Sequence, residues 1–165
     1  MPYKSRQDVY DFLHSLGIIF AVHEHPAVFT CEQAAQYDCG DGADCKNLFL
    51  SDGAEAWVLA VLRAEQRLNI KALARTLGMK TLRFAPAEDL LEVLGLTPGS
   101  VTPFGLLNDT ERRVTLALDE GLTHSPRIQC HPNDNEATIT LDTADFLRAM
   151  GSLGYTPRLF NTTPG

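Results

Sequence analysis

Val9, Phe12, Leu13 and Leu16 recur at helical spacing behind Ser5, and Gly17 ends the run. Ser5 with Asp8 makes a capping box, slightly off type because Asp stands where Glu is usual. Ile18–Val22 reads as a strand stopped near Pro26. Thr30 with Gln33 makes a second capping box, opening a short helix through about Tyr37 that Gly40-Asp41-Gly42 breaks. Leu48–Leu50 and Trp57–Leu62 read as strands flanking a hairpin turn at Ser51-Asp52-Gly53-Ala54. Asn69 caps a helix that turns Ile70, Leu73, Ala74 and Leu77 inward and stops at Gly78. Thr81–Phe84 is a short strand. Pro86 takes the first position of a helix whose stripe is Leu90, Leu91 and Leu94, before Gly95. Leu106-Leu107 and a turn at Asn108-Asp109 lead to a strand at Val114–Leu118. Ile128–Cys130 is short, apolar and ends at His131-Pro132-Asn133, while Ala137–Leu141 alternates as a strand does. Thr143 caps the last helix, with Phe146, Leu147 and Met150 on one face. Tyr155–Phe160 reads as an edge strand, because Pro157 has no N–H to give a central ladder.

Helices and strands therefore interleave without strict βαβ repetition. The expectation is one α+β domain over 1–165, built on a mixed, mostly antiparallel sheet of about six or seven strands flanked by helices. With 165 residues, 44% hydrophobic and 21% charged, the chain can bury a real core. Its apolar runs fall short of the ~20 residues that cross a bilayer. Met1–Arg6 leads into no apolar signal core, and Cys31, Cys39, Cys45 and Cys130 form no CxxC pair, so a cytoplasmic protein with free thiols is expected.

The net charge of −7 argues against a general nucleic-acid coat. The charge is uneven, however. Arg63, Arg67, Lys71, Arg75, Lys80 and Arg83 face one acid, Glu65, within their span, whereas Glu32 to Glu55 holds six acids and Lys46 alone. The basic span is either a solvated surface or a face for a polyanion.

Lys46 is the residue whose position is hardest to explain as packing. It precedes the apolar Leu48-Phe49-Leu50, and a lysine at the mouth of a buried strand either snorkels to water or stands as a fixed cation for an anion or oxyanion. Thr97-Pro98-Gly99-Ser100-Val101-Thr102-Pro103-Phe104-Gly105 is a stiff loop whose backbone N–H groups can face a ligand. His131, held before Pro132, is either a turn histidine or a pocket residue titrating near neutrality. His23, His25, Cys31, Cys39 and Cys45 cluster in sequence, but HExxH and a paired HxE/PCxxC are lacking, so no metal site is expected. Cys130 and His131, as strand neighbours, point to opposite faces and do not make a nucleophile–base pair. GxGxxG, Walker and GxSxG motifs are absent, and no cofactor is expected.

Lys46-Asn47-Leu48-Phe49-Leu50, Lys71-Ala72-Leu73-Ala74, the run Leu94 to Asp109 and His131-Pro132-Asn133 together resemble the YbaK/prolyl-tRNA synthetase editing-domain family. The likeness is greatest to its free-standing branch, the trans-acting deacylases of alanyl-tRNA(Pro), and covers about Ser5 to Phe160. The resemblance implies hydrolysis of the ester joining a wrong amino acid to the tRNA 3′ end. It also implies a catalytic group of Lys46 with Gly99, Ser100, Val101 and Thr102, and a pocket with Asn47, Pro103 and His131. A neighbouring ribose hydroxyl of the tRNA would assist the water. Mischarged tRNA(Pro) is the implied partner, with prolyl-tRNA synthetase a further one, and the six basic residues from Arg63 to Arg83 would hold the acceptor stem. Asp44-Cys45 ahead of Lys46 departs from the histidine and small residue frequent in relatives, which leaves the rejected amino acid open. Deacylation of cysteinyl- or seryl-tRNA, and a non-catalytic tRNA- or synthetase-binding module, are the alternatives.

Overall fold

Ser5 Oγ accepts from the Asp8 N–H while Asp8 Oδ2 accepts from the Ser5 N–H, so the anticipated capping box starts α1 (Arg6–Ser15). The computed structural model describes residues 3–27 and 42–164. After α1 come β1 (Phe20–Glu24), β2 (Ala43–Ser51), β3 (Trp57–Arg63), β4 (Gln66–Arg67), α2 (Ile70–Leu77), β5 (Arg83–Phe84) and α3 (Ala87–Leu94). A 3-10 segment at Pro103–Asn108 precedes β6 (Val114–Asp119), and another at Glu120–His124 precedes β7 (Arg127–Cys130). The chain continues through β8 (Ala137–Asp142), α4 (Thr143–Ser152), β9 (Arg158–Phe160) and β10 (Thr163–Pro164).

Among the described residues, eight strands form one mixed sheet in the order β1-β8-β7-β2-β3-β6-β9, with β5 paired to the outer end of β2. The expected α+β class and mixed sheet are thus observed, with eight strands in place of the expected six or seven. Antiparallel ladders outnumber parallel ones four to three. β4 and β10 form a separate two-stranded ribbon.

Side chains alternate across a strand, so this sheet has two faces of different chemistry. On the first face Phe49, Leu59, Val61, Leu116, Leu118, Ile128, Ile139 and Leu141 pack with α1, α3, α4 and Phe104 in one apolar core. The second face is divided. Toward β3, β6 and β9 it is apolar: Leu50, Val58, Ala60, Leu62, Ala117 and Phe160 meet Leu73 of α2. Toward β7 and β8 it carries Gln129, Thr138 and Thr140, all buried yet polar. Lys46 lies between the two halves. Among the described residues, no helix is long and apolar enough to cross a membrane.

Several expected boundaries move. Ile18 N bonds back to Leu13 O, so the chain is still closing α1 and first meets β8 at Phe20 opposite Leu141. β2 begins at Ala43 rather than Leu48, because Ala43 and Asp44 pair with β7 and Cys45 to Asn47 pair with β3. Lys46 is therefore inside a strand and not at its mouth. Pro86 is the N-cap of α3, with Ala87 its first residue, and the buried stripe is Leu90, Val93 and Leu94 while Leu91 is exposed. Asp142 occupies the cap position of α4, and Thr143 instead donates its hydroxyl to Ser125 O. The last edge strand is shorter than expected: Tyr155 is buried with its hydroxyl donating to Asp109 Oδ2, which leaves pairing to Arg158–Phe160. The helix expected from Thr30 to Tyr37 and most of the loop after it lie outside the described residues.

Candidate active site

β2 and β7 run parallel but pair only through Ala43 with Ile128 and Asp44 with Gln129. Beyond that they part. The same register, continued, would set Cys45 beside Cys130 one step past the last pair and Lys46 beside His131 two steps past it. The Cys45 and Cys130 thiols do interact, and with burial this pushes Cys45 far above an ordinary thiol. Both cysteines are free, Cys130 buried and Cys45 half-buried, and the raised Cys45 thiol is no thiolate nucleophile.

Into the mouth of this parting comes the loop after α3. Gly99 turns the chain with a φ of +92°, a conformation natural to glycine. Ser100 and Thr102 are buried, and Val101 packs on the first-face core. Thr102 Oγ1 donates to His131 O at 2.6 Å and also accepts from Phe104 N, so it caps the following 3-10 segment. Pro103 opens that segment and is buried. The loop is thus stitched to the end of β7.

His131 closes the second-face side. Its Nδ1 lies 3.0 Å from Ala137 O. A carbonyl only accepts, so Nδ1 carries the proton and a neutral ring offers Nε2 as an acceptor. Burial lowers the His131 pKa, His25 lowers it further, and the Ala137 carbonyl and Asp134 act the other way. His25 stands edge-on to His131 at 6.3 Å between ring centroids. Its Nδ1 meets Pro26 O and its Nε2 meets Thr138 Oγ1, so a neutral His25 accepts the Thr138 hydroxyl proton. Thr138 and Thr140 are 8% and 7% exposed, and Gln129, opposite Thr140, is 9% exposed. A Cβ at Gly42 would meet Gln129 and Thr140, which places the even positions of β2 on this same face.

Lys46 and Asn47 leave β2 in opposite directions. Lys46 projects from the face of Gln129 and Thr140, and its Nζ donates to Gln66 O of β4 at 2.6 Å. Its hydrogen bond is with that carbonyl and not with the glycine loop. Asn47 projects from the face on which Val101 packs, and among the described residues its buried Oδ1 has no hydrogen-bond partner. A buried acceptor left open is costly and fits an incoming donor. Asp44, on the Lys46 face, is raised above the ordinary carboxylate range by burial and by Glu65.

The six basic residues are not equivalent. Arg63 is bound to the buried Asp119 at 2.9 Å, and Arg83 covers Gly53 at the β2–β3 turn. Lys80 lines an open hollow of about 450 Å3 with Asp52, Ala56, Gly78, Met79 and Thr81, at the far end of β2 from Lys46. Arg67, Lys71 and Arg75 are exposed and four residues apart. Among the described residues no three His, Cys, Asp or Glu side chains form a metal-holding group.

The mixed sheet, its flanking helices and the glycine–proline loop bonded to the end of β7 are those of a domain of the aminoacyl-tRNA editing class. The match to known proteins agrees: residues 25–149 fit the family model described as aminoacyl-tRNA editing domain, and the chain belongs to that family. It is 40% identical over 159 residues to prolyl-tRNA synthetase associated domain-containing protein 1 of Danio rerio, covering 94% of this chain and 86% of that one. It is 34% identical over 159 residues to prolyl-tRNA editing protein ProX of Acetoanaerobium sticklandii, covering 94% and 96%. A crystal structure described as a candidate trans-editing enzyme for prolyl tRNA synthetase superposes over 100% of both chains with a TM-score of 0.77, at 24% identity.

His25, Gln129, Thr138 and Thr140 were not singled out from the sequence for this site. The signal that bears on them is weak: threonines alternating with apolar residues in β8 look like an ordinary solvent face.

Proposed function

We propose that this protein is a trans-acting deacylase that hydrolyses the ester of mischarged tRNA(Pro), with alanyl-tRNA(Pro) as its substrate. The observation that supports this most is the meeting of the glycine–proline loop with the end of β7, where Thr102 Oγ1 holds the His131 carbonyl and the β2–β7 register, continued two steps past Asp44 and Gln129, sets Lys46 opposite His131. The names of the relatives point the same way.

An aminoacyl ester is reactive enough that a bound water, correctly placed, needs only charge stabilisation to attack. Water adds to the carbonyl carbon, negative charge builds on the carbonyl oxygen, and the tetrahedral adduct expels the ribose oxygen, which takes the proton the water gives up. The adjacent ribose hydroxyl of the substrate relays that proton. Lys46 supplies the fixed cation, toward the terminal phosphate or the carbonyl side. Backbone N–H groups from Gly99 to Thr102 take the oxyanion. Asn47 Oδ1 receives the α-amino group, and His131 with Pro103 bounds the space for the side chain.

Selection of alanine follows from size. A synthetase site built for proline admits the smaller alanine, since missing methylenes cost only about 1–3 kcal/mol each. A second, tighter pocket walled by Val101, Thr102, Pro103 and His131 excludes proline by overlap. Ester loss from alanyl-tRNA(Pro) and prolyl-tRNA(Pro), followed side by side with cysteinyl- and seryl-tRNA, tests this reading. Alanine is expected to be released far faster than proline; equal rates would refute the sieve, and no release from any of them would leave a binding module.

A further inference from the structure

Lys46 does not stand alone; it is the inner end of a hydrogen-bonded chain that reaches a segment far away in sequence. Its ammonium gives one of three protons to Gln66 O at 2.6 Å. Gln66 belongs to β4, whose only ladder among the described residues is with β10: Gln66 opposite Pro164 and Arg67 opposite Thr163. A two-residue ribbon has little stability of its own. The ribbon is tied to the main sheet by Thr162, whose Oγ1 lies 2.9 Å from Gln66 Oε1 and 3.2 Å from Asp119 Oδ1. One hydroxyl proton serves one of these acceptors. With the Gln66 amide turned so that Nε2 faces Thr162, the amide donates to the hydroxyl and the hydroxyl donates to Asp119, and every partner is satisfied.

Asp119 is a firm anchor. It is 1% exposed and accepts from the Arg63 backbone N–H, Arg63 Nε and the Gly121 N–H. These donors hold its carboxyl below the ordinary range, although burial pushes it up. Arg63 and Gln66 are the two ends of the tight connection between β3 and β4. The series Asp119, Thr162, Gln66, Lys46 therefore runs from the last residue of β6, an inner strand, to the lysine ammonium.

We infer that Thr162 and Gln66 are positioning residues for Lys46: the 162–164 segment acts as a strap that fixes the β4 carbonyl to which the Lys46 ammonium is moored. The inference rests on the role given to Lys46 above. Of the ammonium's three protons, the mooring takes one and orients the other two; without it the side chain rotates freely on its four-carbon stem. A misplaced cation leaves substrate binding nearly intact and slows the chemical step.

The test uses the full chain with Thr162→Val, Thr162→Ser, Gln66→Leu and Lys46→Ala. Single-turnover deacylation of alanyl-tRNA(Pro) is measured beside acylation of Lys46 by an amine-specific reagent, read by peptide mass spectrometry with Lys71 as internal reference. Thr162→Val and Gln66→Leu are expected to lower kcat by roughly ten- to a hundredfold, with KM within about twofold. Both should raise Lys46 labelling relative to Lys71, and Thr162→Ser should restore both readouts. Unchanged kcat and unchanged labelling in folded Thr162→Val would overturn the strap, even if Lys46→Ala is inactive and the role of Lys46 stands. If Lys46→Ala deacylates normally, that role fails, and the labelling ratio alone decides whether the strap holds the side chain.

Discussion

Thr102 Oγ1 lies 2.6 Å from the His131 carbonyl and joins the loop after α3 to the end of β7. The bond sets the distance between the loop's amides and the polar half of the sheet. Replacing Thr102 by Val removes both this donor and the cap on Phe104 N. About 1–2 kcal/mol of stability should go, as for a lost cap and hydrogen bond. The deacylation rate should fall further than stability does, and Thr102→Ser should keep both. Denaturant melts beside single-turnover rates check this.

His131 gives a pH dependence with a definite sign. Burial holds its folded-state pKa below the ordinary value of 6.5, so the unfolded chain binds the proton more readily. Its contribution is therefore complete above that value and is lost as pH falls toward the lower folded value. Protonation also fills Nε2, the nitrogen offered to the site. Melting temperature and deacylation rate should both drop between neutral and mildly acidic pH, and His131→Gln should flatten the fall. An unchanged pH profile in that variant would remove His131 from the account.

Much of this was legible in the residues. The capping box at Ser5, the cap at Asn69, the stop at Gly78 and the strand cores of β3, β6 and β8 follow from local chemistry, and each is present. Lys46 and the Gly99–Pro103 loop stand out because a lysine at the mouth of an apolar strand and paired Gly/Pro need a reason, although the strand in fact begins three residues before Lys46. What stayed hidden depends on register and on backbone groups. Sequence cannot tell that β2 leaves β7 after Asp44, nor that Cys45 then meets Cys130. Gln66 holds Lys46 through its main-chain carbonyl, which any residue has. Thr138 and Thr140 alternate with apolar residues as a solvent face would, yet both are buried. The expected α3 stripe holds Leu91 where the buried one holds Val93, since spacing alone does not say which way a short helix is rolled.

Arg67, Lys71 and Arg75 are exposed at four-residue intervals and are proposed to follow the acceptor-stem phosphates. Each change to Ala should weaken tRNA binding and lower the magnitude of the log–log salt slope by about one. Arg63→Ala should instead cost stability, on the order of 2–4 kcal/mol, because it strips the buried Asp119 of its cation. Filter binding across a salt series separates the two classes.

Tyr155 and Asp109 make a lock beneath β6. Asp109 accepts from the Arg113 and Val114 N–H groups and from the Tyr155 hydroxyl, and Arg112 lies over the Tyr155 ring. Tyr155→Phe should cost about 1–2 kcal/mol, since a buried carboxylate loses one donor. Deacylation by the folded variant should be unchanged, and chemical denaturation with an activity assay checks both.

Single-turnover hydrolysis of alanyl-tRNA(Pro) by Lys46→Ala bears most directly on the proposed chemistry. A loss of at least ~10²-fold with an unchanged melting temperature is predicted for a cation that meets the developing charge. Release of alanine at close to the wild-type rate by the folded variant would contradict it.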